Sequence, residues 1–141
     1  MAEVRKLKYD EADLRILTVE DLDALEIGAG ILGTGGGGNP YQGKLLALQA
    51  MTQRLTAEFA IRPFFIHSPA VAFATVGGWV DHPSAHVRRL VSEGSRPRLP
   101  WGLRLQTLVA EPGPALPLLR TLQDDPSPYV RRSVANHLND I

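Results

Sequence analysis

The 141-residue chain contains no cysteine. That absence excludes a disulfide framework, a zinc–thiolate centre and a cysteine nucleophile, and leaves a reducing compartment unremarkable. No apolar run approaches the ~20 residues that a membrane span needs. The opening residues, MAEVRKLKYDEADLR, lack the apolar core of a secretory signal. Together these absences predict a soluble, cytoplasmic protein with no membrane attachment. Net charge is also missing, because fifteen basic residues balance fifteen acidic ones. The balance hides an asymmetry: residues 1–52 hold five basic and eight acidic side chains, and residues 53–141 hold ten and seven. Lysine is scarce and stops early, at Lys44, so every basic residue after position 52 is arginine. Arginine suits planar, bidentate contact with phosphate. The shift marks a seam near residue 52 and divides the chain into an N-terminal appendage, 1–51, and a second unit, 52–141.

Sustained strand alternation is absent too, and what remains reads as helices. Thr18, with acidic residues behind it, starts a helix whose Leu22, Leu25, Ala29 and Leu32 share one face. The run from Thr34 to Pro40 cannot continue that helix, because it is built of glycines and ends in proline. A second helix is expected from about Tyr41 to Ala60, burying Leu48, Met51, Leu55 and Phe59. Ser68-Pro69 opens another, with Ala72, Phe73, Val76 and Trp79 inward. Pro83-Ser84 caps a helix that turns Val87, Leu90 and Val91 to the core and leaves Arg88, Arg89, Ser92 and Glu93 at the boundary or outside. Further helices are expected over Trp101–Ala110 and Ala115–Gln123, then one capped by Pro126-Ser127. The fold is all-α.

Two glycine patterns look like phosphate loops and are set aside. Gly28-x-Gly30-x-x-Gly33 lies within a helical pattern rather than after a strand. Gly38-xxxx-Gly43-Lys44 has Leu45 where a magnesium-binding hydroxyl belongs, and Pro40 removes an amide from the cradle. His67, His82, His86 and His137 form no ligand set, so no metal is expected.

The informative presence is a duplication. DHPSAHVRRLVSEG, from Asp81, recurs 43 positions later as DDPSPYVRRSVANH, from Asp124. A self-match at roughly 40–47 residues with helical content is the period of HEAT-type helix pairs. The repeat carries an Arg-Arg doublet, Arg88-Arg89 and Arg131-Arg132. Stacked repeats set equivalent positions in a row on one face. With Arg96 and Arg98, the doublets form a basic strip suited to a nucleic-acid backbone. An ordinary surface pair between Arg89 and Glu93, at i,i+4, accounts for one doublet but not for its recurrence.

Two resemblances attach to these strings. ILTVEDLDALEIGAGILGTGGGGNPYQGKLLAL, residues 16–48, resembles the N-terminus of a family associated with hydantoinases and oxoprolinases. FAIRPF at Phe59–Phe64, HVRRLVSEGSRPRLPWGLRL at His86–Leu105 and DDPSPYVRRSVANHLNDI at Asp124–Ile141 resemble the HEAT-like DNA alkylation-repair glycosylases, over about Gln53 to Ile141. That resemblance implies a fragment of an α-α superhelix, without cofactor, acting on double-stranded DNA that contains alkylated bases. It implies hydrolysis of the N-glycosidic bond, with Glu93 and Asp140 as catalytic carboxylates and Glu58 supporting. Trp101 would offer a π face to the cationic nucleotide. Arg88, Arg89, Arg131 and Arg132 would grip phosphates. The family's core has more repeats than the two here, which implies self-association through exposed repeat ends. The residues alone leave plainer roles open: a solvated Glu58, a helix-end Asp140, a core Trp101. They also leave open a non-catalytic helical module that binds nucleic acid or a protein partner.

Overall fold

The structure, a computed structural model, describes residues 40–141. The expected Thr18–Leu32 helix and most of the glycine run lie outside these residues. Seven α-helices follow in order among the described residues: α1 Pro40–Met51, α2 Arg62–His67, α3 Pro69–Gly77, α4 Ala85–Gly94, α5 Gln106–Ala110, α6 Leu116–Leu122 and α7 Pro128–Asn139. A 3-10 turn, Gly113–Ala115, leads into α6. The chain is all-α with HEAT-like helix pairs, and α3/α4 and α6/α7 stand at the repeat period read from the sequence.

The core runs the length of this stack. Leu45 and Leu48 of α1 meet Ala72 and Val76 of α3, and Val87, Leu90 and Val91 of α4 meet Val130 and Val134 of α7. Each of these leucines and valines, fully buried, contributes about 1.5–3 kcal/mol. α4 and α7 pack most extensively, so the duplicated helices form the joint of the molecule.

Three expectations need correction. The second helix ends at Met51 rather than near Ala60, and the chain turns through residues 52–61. Leu55 is therefore 73% exposed and Phe59 44%, and Met51 is only partly buried, while Ala57 and Ile61 take the inward positions. A continuous helix would hold Leu55 and Phe59 against the core only if its axis stayed straight, and the turn redirects that face. The fifth helix begins at Gln106, not Trp101, because the Leu105 amide bonds back to the Pro97 carbonyl at 3.1 Å and closes a loop instead. Ser92 and Glu93 are buried, not at the boundary, because α7 covers that side of α4.

Ser68, Ser84 and Ser127 occupy the expected N-cap positions, yet none of their hydroxyls makes a capping hydrogen bond. In the duplicated units arginine holds the turn that precedes the helix. Arg88 Nη1 donates to the carbonyls of His82, at 2.7 Å, and Pro83, at 3.0 Å. Arg131 Nη1 donates to those of Asp125, at 2.6 Å, and Pro126, at 3.0 Å. Each arginine thus fastens the turn before its own helix, reaching back six and five residues. Arg88 also forms a bidentate pair with Asp125, Nε to Oδ2 at 2.6 Å and Nη2 to Oδ1 at 3.0 Å, which ties one repeat to the next. The Arg88 hydrogen bonds hold the Asp125 carboxyl below its ordinary value, against the opposing effect of burial.

Candidate functional site

The ends of α4 and α7 and the loop between Ser95 and Leu105 converge on one charged cluster. Glu93 stands in the last turn of α4, buried, and needs partners because an unpaired carboxylate there would be costly. Arg96 Nη1 donates to Glu93 Oε1 at 2.7 Å, and the Ser133 hydroxyl, from α7, donates to Oε2 at 2.6 Å. Arg89 Nη2 stands 3.8 Å from Oε1, a looser contact than the i,i+4 pair read from sequence. Arg96 continues across to α7: Nε donates to Asp140 Oδ2 at 2.8 Å and Nη2 to Oδ1 at 3.1 Å. Arg98 donates to the Asp140 main-chain carbonyl. On the other side Arg89 Nη1 donates to Glu58 Oε2 at 3.2 Å and to Thr56 Oγ1 at 3.3 Å.

The result is an alternating ladder: Glu58, Arg89, Glu93, Arg96, Asp140. Three carboxylates are joined by two guanidinium groups, so the ladder carries one net negative charge. Burial pushes the Asp140 carboxyl up, but the hydrogen bonds and charge of Arg96, with the Arg98 backbone and His137, outweigh it and hold the group below its ordinary value. The same hydrogen bonds to Asp140 raise the Arg96 pKa, with Glu93 adding to the effect and burial opposing it. A carboxylate held ionised in this way suits electrostatic stabilisation of a nearby cation and orientation of water. It does not suit proton donation.

Trp101 stands on the loop that carries Arg96 and Arg98. Its side chain is 99% exposed, and its φ is 59°, the left-handed region. A bulky side chain is rarely found there, at a cost of about 1–2 kcal/mol. The plain alternative of a core anchor does not apply to it. Trp79, at 4% exposure, fills that role. A strained, unpacked indole is a flat apolar face with no structural duty.

The arginines divide by position. Arg88 is committed to the repeat joint and to its turn, and Arg131 Nη1 to the second turn. Arg96, read from sequence as part of the basic strip, is buried and satisfied by Glu93 and Asp140 instead. Arg89 lies over the Tyr129 ring, its Cζ 4.8 Å from the centroid, and His86 meets that ring edge-on at 5.6 Å. His86 and Tyr129 are equivalent positions in the two repeats, and Arg89 shares their face. Arg131 and Arg132 are exposed, and Arg132, three residues after Tyr129, lies on the Tyr129 side of α7.

Sequence reasoning missed Arg62, Ser133, His137 and Asp125. Ser133 had a signal, because its counterpart in the first unit is Leu90, and a hydroxyl at a core position asks for a buried partner. His137 likewise replaces Gly94; it is buried, and its Nδ1 stands 2.9 Å from the Ser92 carbonyl. Burial holds its pKa below the ordinary imidazole value. Arg62 and Asp125 carried no signal of comparable sharpness.

Comparison with known proteins places this arrangement. The model of the S-Me-THD-like N-terminal domain family matches residues 20–98. That match crosses the seam near residue 52. A Bacillus subtilis (strain 168) protein, the uncharacterized YhaZ, is 50% identical over 101 residues, which is 72% of this chain and 28% of that protein. Among solved structures, the Pseudomonas fluorescens alkylpurine DNA glycosylase AlkC, bound to DNA containing an abasic-site analog, superposes with a TM-score of 0.70. It is 43% identical in sequence, and the match covers 83% of this chain and 32% of that one. The chain spans about a third of the length of these two relatives.

Proposed function

Since the chain belongs to the S-Me-THD-like N-terminal domain family through residues 20–98, and its described helices are similar to those of a DNA glycosylase, we propose that residues 53–141 act in DNA repair by excising N-alkylated bases. The observation that supports this best is the Glu93–Arg96–Asp140 bridge between the ends of α4 and α7, beside an exposed tryptophan. An N-alkylated base is often cationic and leaves without much acid assistance. What the reaction asks of a protein is a fixed negative charge near the developing oxocarbenium ion and a hold on the attacking water.

In this reading Glu93 and Asp140 supply the charge, Asp140 held ionised by Arg96, and Glu58 supports them through Arg89. Arg96 holds both Asp140 oxygens and Glu93 Oε1 in place, and Ser133 fixes the Glu93 plane. Trp101 presents its π face to the cationic nucleotide. Arg89, Arg131 and Arg132 face the DNA backbone, with the one remaining donor of Arg88 at the edge of that face. No cofactor takes part. Self-association through the ends of the described repeats belongs to the same reading.

The test is base release from N-methylated duplex DNA, measured with the wild-type chain and with Asp140→Asn. Release by the wild type that disappears in a folded Asp140→Asn variant is the expected result. A folded chain that binds DNA yet releases no base removes the enzymatic reading and leaves a nucleic-acid-binding helical module. The aromatic–arginine face formed by Tyr129, Arg89 and Arg132 is what supports that second reading.

A further inference from the structure

Arg62 opens α2, far in sequence from both Glu93 and Trp101, yet its side chain is wholly buried between them. Nη1 donates to the Gly94 carbonyl at 3.1 Å, next to Glu93, and Nε donates to the Leu103 carbonyl, two residues past Trp101. Two glycines make room for it and its neighbour. A Cβ on Gly94 would come within 2.6 Å of Ile61 Cγ2. A Cβ on Gly102 would stand 3.2 Å from both Cδ and Nε of Arg62 and 3.1 Å from Leu99 Cδ2. The Ile61–Arg62 pair is therefore a key, with one tooth against the end of α4 and the other against the Trp101 turn.

A buried guanidinium is an expensive way to fill space. Among the described residues Nη2 has no hydrogen-bond partner, and no carboxylate pairs directly with the group. Burial, with Arg96 nearby, lowers its pKa to about 10, although Asp140 opposes this, so it stays charged at neutral pH. An apolar side chain would occupy the site at less cost in desolvation. What it would lose is the two directed donors. Those donors reach the α4 end and the tryptophan turn, and an unpacked indole has no other hold on its orientation.

We propose that Arg62 is a positioning residue: it locks the Trp101 turn in register with the Glu93 end of α4. The proposal rests on the glycosylase reading for what Trp101 meets, though the locking itself does not. It also explains why Trp101 tolerates a left-handed backbone. The Leu103 carbonyl is pinned just beyond it, and Gly102 lets the turn close directly onto the arginine.

The experiment uses the full chain with Arg62→Lys, Arg62→Met and Gly102→Ala, each checked by circular dichroism. Binding is measured by fluorescence anisotropy to a duplex with one abasic-site analogue and to the undamaged duplex. In parallel, Trp101 motion is followed by time-resolved anisotropy in a Trp79→Phe background, where it is the sole tryptophan. Folded Arg62 variants should keep undamaged-duplex affinity and lose about tenfold in preference for the abasic duplex, the scale of one lost base–aromatic contact. Their Trp101 anisotropy should decay faster. Gly102→Ala should move both readings the same way, and it carries the test if the Arg62 variants fail to fold. Unchanged Trp101 decay in folded variants overturns the proposal. A wild type with no abasic preference sinks the glycosylase reading instead, and the Trp101 decay then decides the locking alone.

Discussion

Replacing Trp101 by glycine should make the protein more stable while disabling it. The backbone there sits at φ 59°, which costs an L-residue about 1–2 kcal/mol and costs glycine almost nothing. Glycine gives back about 0.4–1 kcal/mol through its greater freedom in the unfolded chain. Because the indole is 99% exposed, no packing term enters. The balance is a stabilisation of about 0.5–1 kcal/mol, or a rise in Tm of about 2–5 °C for a domain of this size. Trp79→Ala is the control, since it empties a core position and should cost about 3–5 kcal/mol. Thermal unfolding followed by circular dichroism reads both, and base release or abasic-duplex binding reads the accompanying loss of function. A Trp101→Gly chain that melts below the wild type refutes the reasoning. Such a result means that the indole packs in solution and is not held out as a free face.

The doublets should separate in the same assays. Arg88→Ala leaves the Asp125 carboxylate buried and unpaired and should cost about 3 kcal/mol in urea unfolding. Arg132→Ala should stay within about 0.5 kcal/mol of the wild type. It should nevertheless weaken DNA binding and reduce the salt slope by about one. Ser133→Ala removes the donor to Glu93 Oε2 in a buried setting and should cost about 1–3 kcal/mol. Ser133→Leu, which restores the first unit's residue, should cost more, because the added volume meets Glu93; equal stability of the two variants would refute this. Acidification should destabilise in two steps. His137 is held below its ordinary value, so its contribution is full above about pH 6.5 and is lost as the unfolded chain takes up a proton below that. Asp125 and Asp140 are also held low, so theirs is full above about pH 4 and is lost as pH falls through their folded values. Urea midpoints from pH 8 to 3 check this, and His137→Gln should remove the upper step only.

The helical class and the repeat were legible because both rest on spacing. Val87, Leu90 and Val91 share one face, and the Asp-x-Pro-Ser turn announces each α4-type helix from its own residues. Phe59 and Leu55 misled because periodicity continues through a turn as readily as through a helix: α1 stops at Met51, yet the apolar spacing runs on. Arg96 misled for a different reason. Charge in a sequence looks solvated until its partners are known, and its two partners, Glu93 and Asp140, lie 3 and 44 residues away. Arg62 could not be found at all from local pattern, since the carbonyls it serves are 32 and 41 residues downstream.

The duplication itself separates scaffold from site. Where the two units agree, the side chains mostly hold the fold: Val87 and Val130 in the core, Arg88 and Arg131 on their own turns with matching reach. Where they differ, the second unit answers the first. Leu90 becomes Ser133, which bonds Glu93; Gly94 becomes His137, which bonds the Ser92 carbonyl; and Glu93 itself has only Asn136 as its counterpart. A repeat that kept every residue would stack but could not build a buried polar cluster, because each carboxylate would face its own copy. Divergence at the α4–α7 joint gives each buried charge a complementary neighbour. The positions that break the 43-residue period are therefore those from which a site can be assembled, and Ser133 is the one whose exchange tests this most directly.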